Sequence, residues 1–366
     1  MPDRNSETTG NKLLGLELVR FAAAFGILFW HYQHFAFAAD IPADIFRLRQ
    51  PFYPLLRAFY DYGADGVKVF WCVSGFIFFW KYREAVADRL VDGKNFFVLR
   101  FSRLYPLHAV TLLFAASLQF AYFKLHGYFF VYQNNDLFHF LLQLFMGSDW
   151  GFQKGMSYNG PIWSISVEVL VYVCFFLVLR YLSRAAWVNM VIIAACAAAR
   201  MSGVSSPVID AAALFYLGGL AAMARRTLQV HKRPHKLVLA AWGVLCSAPF
   251  AVPVFKACHL DPDLYILVYA PILVFCVSGP VRVSPSAAKF IEAAGNMTYS
   301  SYLLHFPIQL CLVLACSAAK TAIPVFSPFF LAVYLATTLA AAYLAYRYFE
   351  APAQNFIRHK FSPRRG

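Results

Sequence analysis

The chain has 366 residues, of which 60% are hydrophobic and only 14% charged, against about 45–50% and about 25% in soluble globular proteins. With a mean hydropathy of +0.56 there is too little polar surface to clothe a water-soluble globule of this size, and an aromatic content of 18% excludes disorder. A formal charge of +14 would suggest nucleic acid in a soluble protein. In a membrane protein it points first to the excess of Lys and Arg on cytoplasmic loops, and no nucleic-acid partner is expected.

About 20 apolar residues are needed to cross roughly 30 Å of hydrocarbon. Ten such runs follow one another, at residues 16–38, 65–80, 104–123, 161–179, 187–199, 208–223, 237–255, 264–279, 296–318 and 328–346, the fifth and sixth short and Ala-rich. The expected fold is therefore all-α, a polytopic bundle of about ten transmembrane helices in a single domain over residues 1–366, with a polar tail at 1–12 and a basic tail at 359–366. With the N-terminus placed in the cytoplasm, 22 of the 32 Lys and Arg residues fall on inner segments and 8 on outer ones. That bias predicts both termini inside and a multi-pass protein of the cell (inner or plasma) membrane, with membrane lipids as partners and self-association compatible. Arg4 and Lys12 ahead of an apolar run and Ala36-Phe37-Ala38 also resemble a cleavable signal. The run is longer than the usual core of such a signal, and it contains Arg20 and His31.

Two outer segments are long. Residues 39–64 hold Asp40, Asp44 and Asp61, and residues 124–160 contain an apolar stretch, Leu137 to Met146, able to lie as a short interfacial helix and roof a vestibule. Of the eight Cys, all but Cys258 lie inside apolar runs and none forms Cys-x-x-Cys, so they read as small buried hydrophobes, with no metal site.

Ionisable groups at bilayer depth are costly and mark candidate sites. Arg20 and His31 share the first span. Eleven residues bring them back to within about 20° of the same helix face and about 16 Å apart along the axis. The fourth span opens Gly160-Pro161-Ile162-Trp163-Ser164-Ile165-Ser166-Val167-Glu168, with Pro at a plausible first helical position and Ser164 on one face with Glu168. Counting the helical rise puts Glu168 and His31 at similar depth, the arrangement for a base and the group that orients it. Arg100 and Arg103 lie one turn apart at the inner mouth of the third span, and either topological anchoring or a bidentate phosphate clamp would explain them. His305 is a buried histidine with Pro307 two residues on, and Glu350 closes the last span, where an ion pair with Arg347 is the plain structural reading.

Taken together these residues resemble the acyltransferase-3 family of transmembrane acyltransferases. The resemblance rests on Arg-x10-His at Arg20 and His31, Ser74-Gly75 in the Phe70 to Phe76 stretch, Arg-x-x-Arg at Arg100 and Arg103 with Tyr105-Pro106, Trp-Ser-x-Ser-x-Glu at Trp163 to Glu168, Ser-Tyr-x-x-His at Ser301 to His305, and Glu-x-Pro at Glu350. It runs from about residue 11 to 358. One departure is Lys68, where the family usually has a small or acidic residue before a Phe-Phe pair. Some members carry a C-terminal hydrolase-like domain, and this chain resembles the stand-alone type.

The resemblance implies O-acetyl transfer from acetyl-CoA, or another acyl-CoA, to a hydroxyl of a carbohydrate acceptor such as a cell-surface polysaccharide or lipid-linked sugar. Arg20, Arg100 and Arg103 would bind the donor phosphates. His31 would act as general base or acyl carrier, oriented by Glu168. Ser164, Ser166 or Tyr105 could supply oxyanion donors, and Ser74, Trp163, His305 and Glu350 would support the site. The rival reading is a transporter or flippase for a lipid-linked or small anionic substrate, since buried Arg, His and Glu also suit alternating access. No inverted repeat or matched pair of broken helices supports it.

Overall fold

The computed structural model describes residues 13–42, 47–231 and 235–361. The tail at 1–12 with Arg4 and Lys12, Asp44, and the basic tail from residue 362 lie outside these. In chain order the helices are α1 Leu14–His31, α2 Tyr53–Tyr62, α3 Gly66–Ala87, α4 Gly93–His126, α5 Leu137–Leu144, α6 Ile162–Leu177, α7 Ala186–Met201, α8 Pro207–His231, α9 His235–Ala257, α10 Pro262–Val277, α11 Pro285–Asn296, α12 Thr298–Ala318, α13 Pro328–Ala345 and α14 Ala351–Phe361. The one departure from helix and loop among the described residues is a small antiparallel hairpin, β1 Phe37–Ala38 and β2 Ile41–Pro42, with Phe37 opposite Pro42.

Each of the ten predicted apolar runs coincides with a helix. Among the described residues seven helical segments are long and apolar enough to cross a membrane: Leu14–Ala36, Gly93–His126, Ile162–Leu182, Pro207–Gln229, Lys236–Phe255, Thr298–Ala318 and Pro328–Phe361. The other three runs fall short for different reasons. α7 and α10 are apolar but only 16 residues long, and α3 carries Lys68, Lys81, Arg83 and Glu84. The short interfacial helix expected at Leu137 is α5, capped by Asp136, whose carboxylate accepts the His139 backbone N–H at 2.9 Å. That bond, with the His139 ring, holds the exposed carboxyl below its usual range.

The centre of the bundle is the packing of α3 against α8. It is close because each helix brings a glycine to the other's backbone: a Cβ at Gly75 would overlap the Phe215 carbonyl, and one at Gly218 the Cys72 carbonyl. Small residues that let helix backbones touch replace the hydrophobic driving force that is absent in lipid. Gly75→Ala is therefore expected to force α3 and α8 apart and cost about 1–3 kcal/mol, read as a lower midpoint of thermal unfolding in detergent. An unchanged midpoint would show that the seam relaxes freely.

Ion pairs tie helix ends that lie together. At one end of α3, Lys68 pairs with Asp65 at 3.1 Å and with Asp263, and Arg200 joins Asp210, Asp261 and Asp263. Lys68, the residue departing from the family pattern, is thus part of this network joining α3, α7, α8 and α10. At the other end Glu84 meets Arg83, Arg184 and Arg226.

Candidate functional site

Prolines and the ends of helices place the site. Pro307 has no N–H to donate to the Leu303 carbonyl one turn earlier. The Asn159 side chain supplies that bond instead, at 3.2 Å, so the loop ahead of α6 is tied to α12 beside His305. α1 tightens at its end into a 3₁₀ turn, Tyr32–Ala36, and side chains of other helices reach its last carbonyls. Gln309 Nε2 caps the His31 carbonyl at 2.7 Å, and the Tyr334 hydroxyl reaches the Leu28 carbonyl at 3.4 Å. His31 is thereby fixed between α12 and α13.

The ring of His31 donates from Nδ1 to the Ile27 carbonyl at 2.9 Å. A carbonyl can only accept, so this bond selects the tautomer in which Nε2 carries the lone pair. Among the described residues Nε2 has no hydrogen-bond partner. The imidazoles of His305 and His34 stand 4.6 Å and 4.9 Å from that of His31. All three are buried, and both His305 nitrogens and His34 Nδ1 lack a hydrogen-bond partner of good geometry. Tyr132 and Phe306 cover the outer side of His34. Among the described residues no group of three or more His, Cys, Asp or Glu is placed to hold a metal ion.

Below the histidines lies a cavity of about 390 Å³ between α1, α3, α4, α6, α12 and α14. Arg20, Arg100 and Arg103, singled out from separate stretches of sequence, all line it, as do Ser74, Ser164 and Glu168. Two further cations, Lys81 and Arg358, also line it, against the carboxylates of Glu17 and Glu168. The five cations differ in their partners. Arg20 is held by Glu17 at 2.8 Å and by the Thr298 hydroxyl at 3.1 Å. Arg103 pairs at 2.7 Å with Glu350, which is 2% exposed and also accepts the Ser300 hydroxyl at 2.6 Å. Arg100 packs its guanidinium on Phe78 and Tyr82 and donates to the Tyr82 hydroxyl at 2.8 Å, and its buried Nε has no partner. Neither Arg100, Lys81 nor Arg358 has a carboxylate within ion-pairing distance among the described residues.

Two sequence expectations are corrected. Glu168 does not orient His31: the Ile27 carbonyl holds the imidazole, and Glu168 lines the cavity with Ser74 and Tyr172, whose hydroxyls lie 2.9 Å from each other. Glu168 lines the cavity with Arg20 and Arg100, and His31 lies outside that lining, so the expected match in depth does not bring the two side chains together. Glu350 pairs with Arg103 across the bundle and not with Arg347 on its own helix, because the wide π turn Tyr346–Glu350 turns it inward. The remaining supporting residues separate. Ser164 shares a 2.7 Å hydrogen bond with the Tyr302 hydroxyl at the closed end of the cavity. Ser166 is fully buried with its hydroxyl unpartnered, Tyr105 stacks on Phe101 outside the cavity lining, and Trp163 packs edge-on against Trp71. Sequence reasoning missed Tyr302, whose ring lines the cavity and stands 5.8 Å from His305, and so joins the two halves of the site. It lay inside the Ser-Tyr-x-x-His motif. Lys81 was counted only as topology, and His34, three residues beyond His31, was passed over.

A family model described as an acyltransferase domain (Acyl_transf_3) matches residues 13–347, nearly the whole chain. No curated protein and no solved structure matches it.

Proposed function

This chain belongs to the acyltransferase-3 family, and from that premise we propose that it is a membrane-embedded O-acyltransferase carrying an acetyl or other small acyl group from acyl-CoA to a carbohydrate hydroxyl. The observation that carries the donor is the cavity wall on which Lys81, Arg100 and Arg358 face space with no carboxylate partner. Cations gathered in this way repel one another unless an anion joins them, and guanidinium groups match phosphate oxygens in charge and geometry. Coenzyme A supplies such anions. Ten spans with the Arg20 end of α1 in the cytoplasm would open this wall toward the cytoplasmic pool of donor.

The thioester then lies toward Ser164 and Tyr302, at the cavity end nearest the histidines. The acceptor oxygen attacks the thioester carbon while His31 Nε2 takes its proton. The C–O bond forms, the C–S bond breaks, and the proton passes from His31 to the departing thiolate. Ser164 and Tyr302 are the hydroxyls placed to stabilise the oxyanion. Transfer of the acyl group first to His31 uses the same geometry. Because Tyr302 stands between the cavity and the His31–His305 pair, its ring must shift, or be displaced by the donor, before chemistry.

The direct test supplies purified chain with labelled acetyl-CoA and cell-envelope glycan. It follows free coenzyme A and alkali-labile acetyl groups on the glycan. Release of coenzyme A that depends on acceptor supports the proposal; labelled substrate moved across a vesicle without acyl transfer supports the transporter instead. Arg100→Ala is expected to raise KM for acetyl-CoA about 10- to 100-fold, the value of one or two charge-assisted hydrogen bonds, with kcat little changed. An unchanged KM would assign Arg100 to packing on Phe78 and Tyr82.

A further inference from the structure

We propose that Arg358, on α14, is the specificity residue for the ribose phosphate of the donor nucleotide, a phosphate monoester. The inference rests on an acyl-CoA donor. Arg358 and Gln354 both line the cavity, and both lie beyond residue 347, where the match to the family ends.

The covalent pattern explains how a residue so close to the C-terminal end reaches this wall. Pro352 cannot donate to the Tyr348 carbonyl and its ring crowds that turn. The chain widens into the π turn Tyr346–Glu350, and α14 leaves it to pack along α4. Arg358 then donates from Nε to the Ser102 hydroxyl at 3.2 Å and from Nη2 to the Leu99 carbonyl at 3.4 Å, on the same stretch of α4 that carries Arg100 and Arg103. Both acceptors are neutral. They aim the guanidinium without cancelling its charge, and among the described residues no carboxylate pairs with it.

Position selects which phosphate is read. Chemistry requires the thioester at the Ser164 and Tyr302 end, and α14 bounds the cavity on the side of the Arg100–Arg103 turn. An extended donor therefore presents its ribose phosphate, the phosphate farthest from the thioester, to Arg358, and its pyrophosphate to Arg100 and Lys81. A lipid phosphate headgroup offers similar chemistry from a different source.

The test measures binding of coenzyme A and of dephospho-coenzyme A, which lacks only the ribose phosphate, to the full chain in uncharged nanodiscs. The intact chain is expected to prefer coenzyme A by about tenfold or more. Arg358→Gln should abolish the preference by weakening coenzyme A alone, and Arg358→Lys should restore part of it. Unchanged affinity of the Gln variant for dephospho-coenzyme A certifies its fold. Equal binding of the two ligands by the intact chain, or equal weakening of both in Arg358→Gln, overturns the assignment and leaves the donor reading standing. Binding of neither ligand overturns the donor reading itself. A preference that disappears when anionic lipid is added to the nanodisc gives the subsite to a headgroup and also overturns the assignment.

Discussion

His31→Ala is expected to lower acyl transfer by about 10²- to 10⁴-fold, the usual contribution of a general base, while leaving affinity for the donor unchanged. The two halves of this expectation have separate causes. The loss follows from Nε2, the ring nitrogen left with a lone pair once Nδ1 is committed to the Ile27 carbonyl. The preserved affinity follows because the cavity lining runs through Arg20, Arg100 and Tyr302 and stops short of His31. A purely structural histidine would behave differently, losing thermal stability with turnover falling only in proportion to unfolded protein. Full activity in His31→Ala would remove it from the mechanism. An acyl group trapped on the ring after mixing with labelled acetyl-CoA in the absence of acceptor would choose covalent transfer over direct attack.

Arg103→Ala should act on stability before it acts on the donor. Its partner Glu350 is 2% exposed, and removing one member of a buried ion pair leaves an uncompensated charge that costs about 3–5 kcal/mol. The double variant Arg103→Ala with Glu350→Gln should regain most of that loss, because a neutral amide still accepts the Ser300 hydroxyl now bonded to Glu350. The measurement is the thermal midpoint of each variant in the same detergent, beside KM for acetyl-CoA. If Arg103→Ala keeps its midpoint and only KM rises, the pair is incidental and Arg103 belongs with Arg100. The contrast between these two arginines, one turn apart and alike in sequence, depends wholly on what sits opposite each.

Much of the fold was legible because lipid imposes a simple rule. Every backbone polar group must be satisfied within the segment, and about 20 apolar residues must follow one another. All ten runs fall on helices, and the short helix at Leu137 lies where its composition placed it. α11, α2 and α14 were not legible, being amphipathic or polar segments that the apolar count passes over. The same blindness hid Arg358 and Gln354, which lie on α14.

Within the site, sequence determined which residues are expensive to keep in a membrane: Arg20, His31, Arg100, Arg103, Glu168, His305 and Glu350. It also determined their spacing along each helix, since helical rise converts residue number into distance along the axis. Tertiary structure alone decided their partners. Rise along one helix says nothing about its tilt and rotation relative to another, so Glu168 lies in the cavity beside Ser74 and Tyr172, and His31 lies outside that lining. A side chain a few ångströms long pairs only with what the neighbouring helix turns toward it. For this protein those rotations, with the glycine contacts at Gly75 and Gly218 and the turns at Pro307 and Pro352, separate the cations that are neutralised from those with no carboxylate partner among the described residues.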